Sequence, residues 1–200
     1  MNVKIESATA NPIEVISKAA GTCYGKHDVS RKRLQSCYNA GHMSVFEHAS
    51  VTLYIEGISR ACSHQLVRHR LASFCQESQR YCKIDVDNDD WYVMPAWFEL
   101  SGGVYEAFKA YMHDCAMRYR AALEHGARPE DARYLLPEAT KTNITVTMNC
   151  RELFHFLDMR QSKAAQWEIC DLANEIEALL LDLPKWREIM LLRIAGTVKA

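Results

Sequence analysis

Polar and apolar residues alternate at the start of the chain, around Val3 and Ile5, and a period of two predicts an opening strand. Asn11 and Pro12 then suit the N-cap and first turn of a helix over residues 12–20. Ser30 suits the cap of a second, basic-faced helix ending at Gly41, where positive φ is easily accommodated. Residues 50–56 are β-branched and aromatic with strand-like alternation, and Gly57 punctuates them. A helical period returns over residues 58–68, and the polar, acidic residues 85–90 read as a surface turn. Residues 104–125 predict a long amphipathic helix ending before Gly126, and Pro129 opens a short one through Leu136. Thr142, Ile144, Val146 and Met148 alternate with polar neighbours as a second strand, after which Asn149 caps a helix carrying Arg151, His155 and Arg160. The last long helix is expected over residues 164–183, stopped by Pro184.

Long helices with a few irregularly spaced strands lack the βαβ rhythm of a doubly wound sheet, so the fold class is α+β. With 200 residues, 48% of them hydrophobic, one domain can bury a core and a second independent one is not expected. Lys and Arg number 24 against 25 Asp and Glu, which excludes a polyelectrolyte that binds nucleic acid or an anionic membrane through overall charge. Any anion site must be local. No run approaches the length of a membrane-spanning helix, and residues 1–10 lack the signature of a signal peptide, so a cytoplasmic protein is expected. Eight scattered cysteines without a CxxC pair read as reduced thiols, most of them small buried hydrophobes.

The densest chemistry lies in residues 68–81, RHRLASFCQESQRY. Arg68, His69 and Arg70 repel one another unless anions sit among them, and the planar guanidinium fork suits phosphate oxygens. Ser73, Gln76, Ser78 and Arg80 follow with donors and acceptors for a base or ribose. A solvated basic turn facing a helix dipole explains the same residues without a ligand. His42 and His48 lack HxH or HExxH spacing, and no metal is expected. Two other readings remain: a nucleic-acid-binding module gripping phosphates with the RHR triplet and stacking bases on Phe74 and Tyr81, and a metal-dependent phosphohydrolase built on the histidines.

An Arg-His-Arg triplet followed by seven residues and Ser78 resembles the signature of the flavin-dependent thymidylate synthases. Residues 41–48, GHMSVFEH, resemble the family's flavin-holding element, and Asn149-Cys150-Arg151, His155, Arg160 and residues 165–169, AQWEI, resemble its later elements in the same order. Two positions depart from it: Glu77, where the family more often has an apolar or small residue, and Ala164, where some relatives have His. The resemblance implies long helices on a mainly antiparallel sheet. It also implies reductive methylation of dUMP to dTMP, with 5,10-methylenetetrahydrofolate as one-carbon donor and NADPH-reduced FAD as hydride source. By residue-wise transfer, Gln65, Arg68, Gln76, Glu77, Ser78, Gln79, Arg80, Arg133 and Arg160 would surround dUMP. Ser44, Arg68, His69, Arg70, Gln76, Asn149, Arg151 and His155 would contact FAD. Arg160 is the expected catalytic residue, stabilising negative charge on the uracil N3 and carbonyl edge. Ser78 lacks an adjacent activating base and is assigned positioning. The family also implies a homotetramer with active sites at subunit interfaces.

Overall fold

The alternation in residues 141–148 is reproduced residue by residue: Thr142, Ile144, Val146 and Met148 are buried along a strand whose other positions are half exposed. The structure, a computed structural model, describes residues 1–197. Its elements run β1 (Asn2–Ala8), α1 (Pro12–Thr22), α2 (Arg31–Asn39), β2 (Ser50–Ser59), α3 (Arg60–Leu66), β3 (Ser73–Gln76), α4 (Ala96–Glu99), α5 (Gly102–Glu124), α6 (Pro129–Ala132), β4 (Lys141–Asn149), α7 (Cys150–Arg160), α8 (Trp167–Asp182) and α9 (Pro184–Thr197). The strands form one sheet in the order β1-β2-β4-β3. Thr52 pairs with Thr147 through their hydroxyls, and Gly57 N–H donates to the Asn143 side chain, so β2 and β4 are antiparallel. The α+β class and the antiparallel sheet are as expected.

The described chain divides into two compact units. The first comprises Met1–Ile55, Gln65–Phe74 and Thr145–Ala200. Its core includes Ile16, Leu53, Phe156, Leu172 and Ile176, and the rings of Tyr38, Phe46 and Phe154 meet at 5.8 Å between centroids. Gly21 of α1 is held where an added Cβ would stand 2.6 Å from the Lys26 carbonyl oxygen. Gly21→Ala must therefore displace backbone, and a loss of about 2 kcal/mol in urea unfolding is expected; an unchanged midpoint would contradict that packing.

The second unit comprises Glu56–His64 and Cys75–Ile144. Met112, Cys115, Ala116 and Tyr119 recur at helical spacing on α5 and pack with Val86, Trp91, Tyr92 and Ala132. The Tyr119 hydroxyl accepts from Ile84 N–H.

Several expectations are corrected. β2 continues through Gly57 despite its positive φ of 72°, which glycine tolerates, so α3 starts only at Arg60. A short strand, β3, lies inside the basic segment, where no alternation announced it. Asn11 makes no side-chain cap, whereas Ser30 and Asn149 cap as expected. The helix begun at Pro129 tightens into a 3₁₀ turn over Arg133–Leu135. α8 begins at Trp167, because the Gln166 side chain accepts from the N–H groups of Glu168 and Ile169. Pro184 not only follows α8 but opens α9, since a proline lacks only an N–H that the first turn leaves unpaired. Of the eight free cysteines only Cys62, Cys115 and Cys150 are buried. In the AQWEI segment, Trp167 is 41% exposed, while Ile169 is fully buried.

Candidate active site

The basic triplet follows α3 in a turn, where Arg68 N–H bonds the Gln65 carbonyl and His69 N–H that of Leu66. That turn buries His69 to 3% exposure while leaving Arg68 and Arg70 exposed. The second set of residues comes from α7. Asn149 Oδ1 accepts from Glu152 N–H at 2.9 Å and starts the helix, so Arg151 and His155 share an exposed face one turn apart. Arg160 closes the last turn. Its Nε donates to His69 Nε2 at 3.0 Å and its Nη2 to the Gln65 carbonyl at 3.1 Å.

A cavity of about 690 Å³ in this unit is lined by Arg68, His69, Arg70, Arg151 and His155, with Met43, Leu71 and Phe154 as apolar walls and Glu152 among them. Arg151 bonds Glu47 at 2.6 Å. The side chains of Arg68 and Arg70 make no hydrogen bond or ion pair among the described residues. Burial, then the neighbouring Arg160 and His155, pushes His69 down to about 4, so its imidazole is neutral at pH 7. Burial pushes the Cys150 thiol well up, which leaves it protonated and inert.

His69 makes the stability of the ligand-free protein depend on pH. Between its ordinary value of 6.5 and about 4, the unfolded chain binds a proton that the folded imidazole refuses. This contribution is fully present above pH 6.5 and is lost as pH falls toward 4. On ligand-free protein the loss should reach about 2–3 kcal/mol. Urea unfolding at pH 7 and 4.5 measures it, and His69→Gln should flatten the profile; parallel profiles would refute the burial argument.

The structure brings together Gln65, Arg68, His69, Arg70, Arg151, His155 and Arg160 in the first unit, with Asn149 as their helix cap. Ser44 lines a different cavity of about 640 Å³, with Lys18, Cys23, His27 and His48. The remaining expected residues belong to the second unit. There Gln76 Nε2 donates to Ser63 and Thr142, and Glu77 Oε2 accepts from Asn143 at 2.8 Å. Ser78 Oγ accepts from Arg80 N–H, and Arg80 lies over the Tyr81 ring and pairs with Glu130. Gln79 and Arg133 line a cavity of about 300 Å³ together with Arg60, His64, Tyr134 and Glu138. Arg60 was not singled out from the sequence. Its Nε is buried without a hydrogen bond, and burial, with Arg133 adding to it, draws its pKa below the usual value. The one signal for it was the spacing of Arg60 and His64, one turn apart on α3.

Guanidinium groups with no partner among the described residues, beside an apolar wall, suit an anionic ligand with an apolar part. Residues 4–183 match the family model described as thymidylate synthase complementing protein. The flavin-dependent thymidylate synthase of Pyrococcus furiosus is 40% identical over 186 residues, covering 86% of this chain and 76% of that one. That of Geobacter sulfurreducens is 41% identical over 191 residues, covering 90% and 82%. The chain belongs to this family, the flavin-dependent thymidylate synthases. Among solved structures, the flavin-dependent thymidylate synthase of Helicobacter pylori complexed with FAD and dUMP superposes with a TM-score of 0.72 at 26% identity, covering 89% of this chain and 93% of that one. A UMP/dUMP methylase of Streptomyces cacaoi bound with 5-Br dUMP shares the fold, with a TM-score of 0.78 at 23% identity over 94% and 93%.

Proposed function

We propose that this chain methylates dUMP to dTMP, taking the one-carbon unit from 5,10-methylenetetrahydrofolate and the hydride from FAD reduced by NADPH. The observation that carries the reading is the cluster in the first unit: Arg68 and Arg70, whose side chains have no partner among the described residues, beside an Arg160 held by His69 and Gln65. Two uncompensated guanidinium groups with an apolar wall of Met43, Leu71 and Phe154 fit a flavin dinucleotide, whose diphosphate is anionic and whose ring is apolar. Bound FAD supplies the hydride, chemistry that no side chain provides.

The chain's own residues bind, orient and polarise. Arg68, His69, Arg70, Arg151 and His155 would hold FAD; Ser44, Gln76 and Asn149 are assigned to it by the family pattern. Gln65, Arg68, Gln76, Glu77, Ser78, Gln79, Arg80, Arg133 and Arg160 are assigned to dUMP. Arg160 keeps terminal N–H groups beyond those given to His69 and Gln65, and these would stabilise charge on the uracil N3 edge. Because Nε and Nη2 are already anchored, the guanidinium does not need to reorganise when that charge develops. The buried Cys150 thiol is unsuited to attack on the pyrimidine, consistent with a route that uses no cysteine.

The family match spans residues 4–183, which supports one catalytic domain. A homotetramer with active sites between subunits is the proposed assembly, and light scattering that finds only monomers would refute it. Eight free cysteines suit the reducing cytoplasm, where we place the protein. Purified protein is expected to be yellow, to bleach under NADPH without oxygen, and to form dTMP when dUMP and methylenetetrahydrofolate are added. Colourless protein that neither takes up FAD nor forms dTMP would sink the reading.

A further inference from the structure

Glu152 is 3% exposed in the first turn of α7 and lies outside the residues assigned to dUMP or FAD. A carboxylate so placed costs several kcal/mol unless something uses its charge. Two groups face it. His69 Nδ1 lies 3.4 Å from Oε1, and the backbone N–H of Leu71 favours the charged form of the carboxyl. The opposite edge of the same imidazole accepts from Arg160 Nε at 3.0 Å. A ring nitrogen that accepts carries no proton, so the proton of the neutral ring sits on Nδ1, on the side of Glu152. Nδ1 is buried without a hydrogen bond, so the Glu152 carboxylate at 3.4 Å acts on it through charge.

We infer that Glu152 is a positioning residue for Arg160: it holds the His69 proton on Nδ1, which keeps Nε2 free to accept from Arg160 and fixes the guanidinium plane. This rests on the reading that Arg160 acts on the pyrimidine. Without the carboxylate, only the Arg160 donation opposes movement of the proton to Nε2. There an N–H would face the N–H of Arg160, and the guanidinium would keep only its bond to the Gln65 carbonyl. The surroundings suit the role. Burial pushes the Glu152 carboxyl up, while His155 and Arg151 pull the other way, and the helix N-terminus favours its charged form. The His69 ring is fixed edge-on against Phe156 at 5.1 Å and His155 at 5.6 Å between centroids, so its two nitrogens cannot exchange places without repacking.

The test uses the holoenzyme with Glu152→Ala and Glu152→Gln, read by tritium release from C5-labelled dUMP and by nitrogen-15 spectra of histidine-labelled protein. Glu152→Ala is expected to lower kcat about tenfold to a hundredfold, the range found when the partner orienting a functional imidazole is removed, with the KM for dUMP changed far less. Its His69 proton should move from Nδ1 to Nε2. Glu152→Gln, whose amide oxygen still turns a negative dipole toward Nδ1–H, should restore most of the activity and the Nδ1–H spectrum. Where the alanine variant does not fold, Glu152→Leu keeps the buried volume and takes its place. Unchanged turnover, an unmoved proton in the alanine variant, or equal losses in both variants would each overturn the inference. If the wild type itself releases no tritium, the reading of the reaction fails, while the His69 spectra still decide whether Glu152 sets the tautomer.

Discussion

Replacing Arg160 with alanine is expected to reduce tritium release from C5-labelled dUMP by about two to three orders of magnitude, the usual cost of deleting a preorganised donor aimed at developing charge. The loss should fall mainly on kcat, because the charge that this guanidinium opposes grows as the ring reacts. Arg160→Lys keeps a cation but not the planar fork that bonds His69 and the Gln65 carbonyl at once, so it should recover only part of the activity. Retention of full turnover by the alanine variant would remove Arg160 from its assigned role. FAD content, read from the flavin spectrum of each variant, separates lost chemistry from lost cofactor.

The second large effect concerns stability. Arg193 on α9 is 5% exposed, and its guanidinium bonds Asp158 at 2.9 Å, Glu177 at 2.5 Å and Gln161 at 2.8 Å. Arg193→Ala would leave the largely buried Glu177 carboxylate with the Gln161 amide but no cation, and breaking a buried pair from one side costs about 3–5 kcal/mol. For a chain of this length that corresponds to roughly 6–20 °C in Tm, measured at one fixed protein concentration. Arg193→Met combined with Glu177→Gln removes both charges and should regain a substantial part of the loss. If the single variant melts with the wild type, this network is not part of what holds α7, α8 and α9.

Much of this was legible in the sequence. The period of two in β4 gave the strand its buried face, and Ser30 and Asn149 marked helix starts because a short polar side chain there satisfies an N–H that the helix cannot. The elements that escaped reading lack local signals. β3 is four residues long and half polar, so its pairing in the sheet, not its own pattern, makes it a strand. The start of α9 was hidden by Pro184, because a proline that cannot continue one helix is equally suited to open the next.

The site was legible in the same uneven way. Arg68, Arg70, Arg151 and Arg160 stand out as cations in motif order, and five of the eight residues assigned to FAD line one cavity. Glu152 did not stand out, since a glutamate in a first helical turn reads as an ordinary dipole partner. Only burial and the turn that carries His69 reveal its neighbours. Arg60 was missed for a similar reason: eight residues before the triplet, nothing in its surroundings says that its Nε will be enclosed.

The strict alternation of β4 also bears on how this gene can change. Deleting one codon between those for Thr142 and Met148 would turn every later inward side chain toward the opposite face and unseat the start of α7 that Asn149 secures. Length variation among natural versions of the protein should therefore gather in the connection around Gly126, at positive φ and with no atom near its missing Cβ, and leave this strand's codon count untouched.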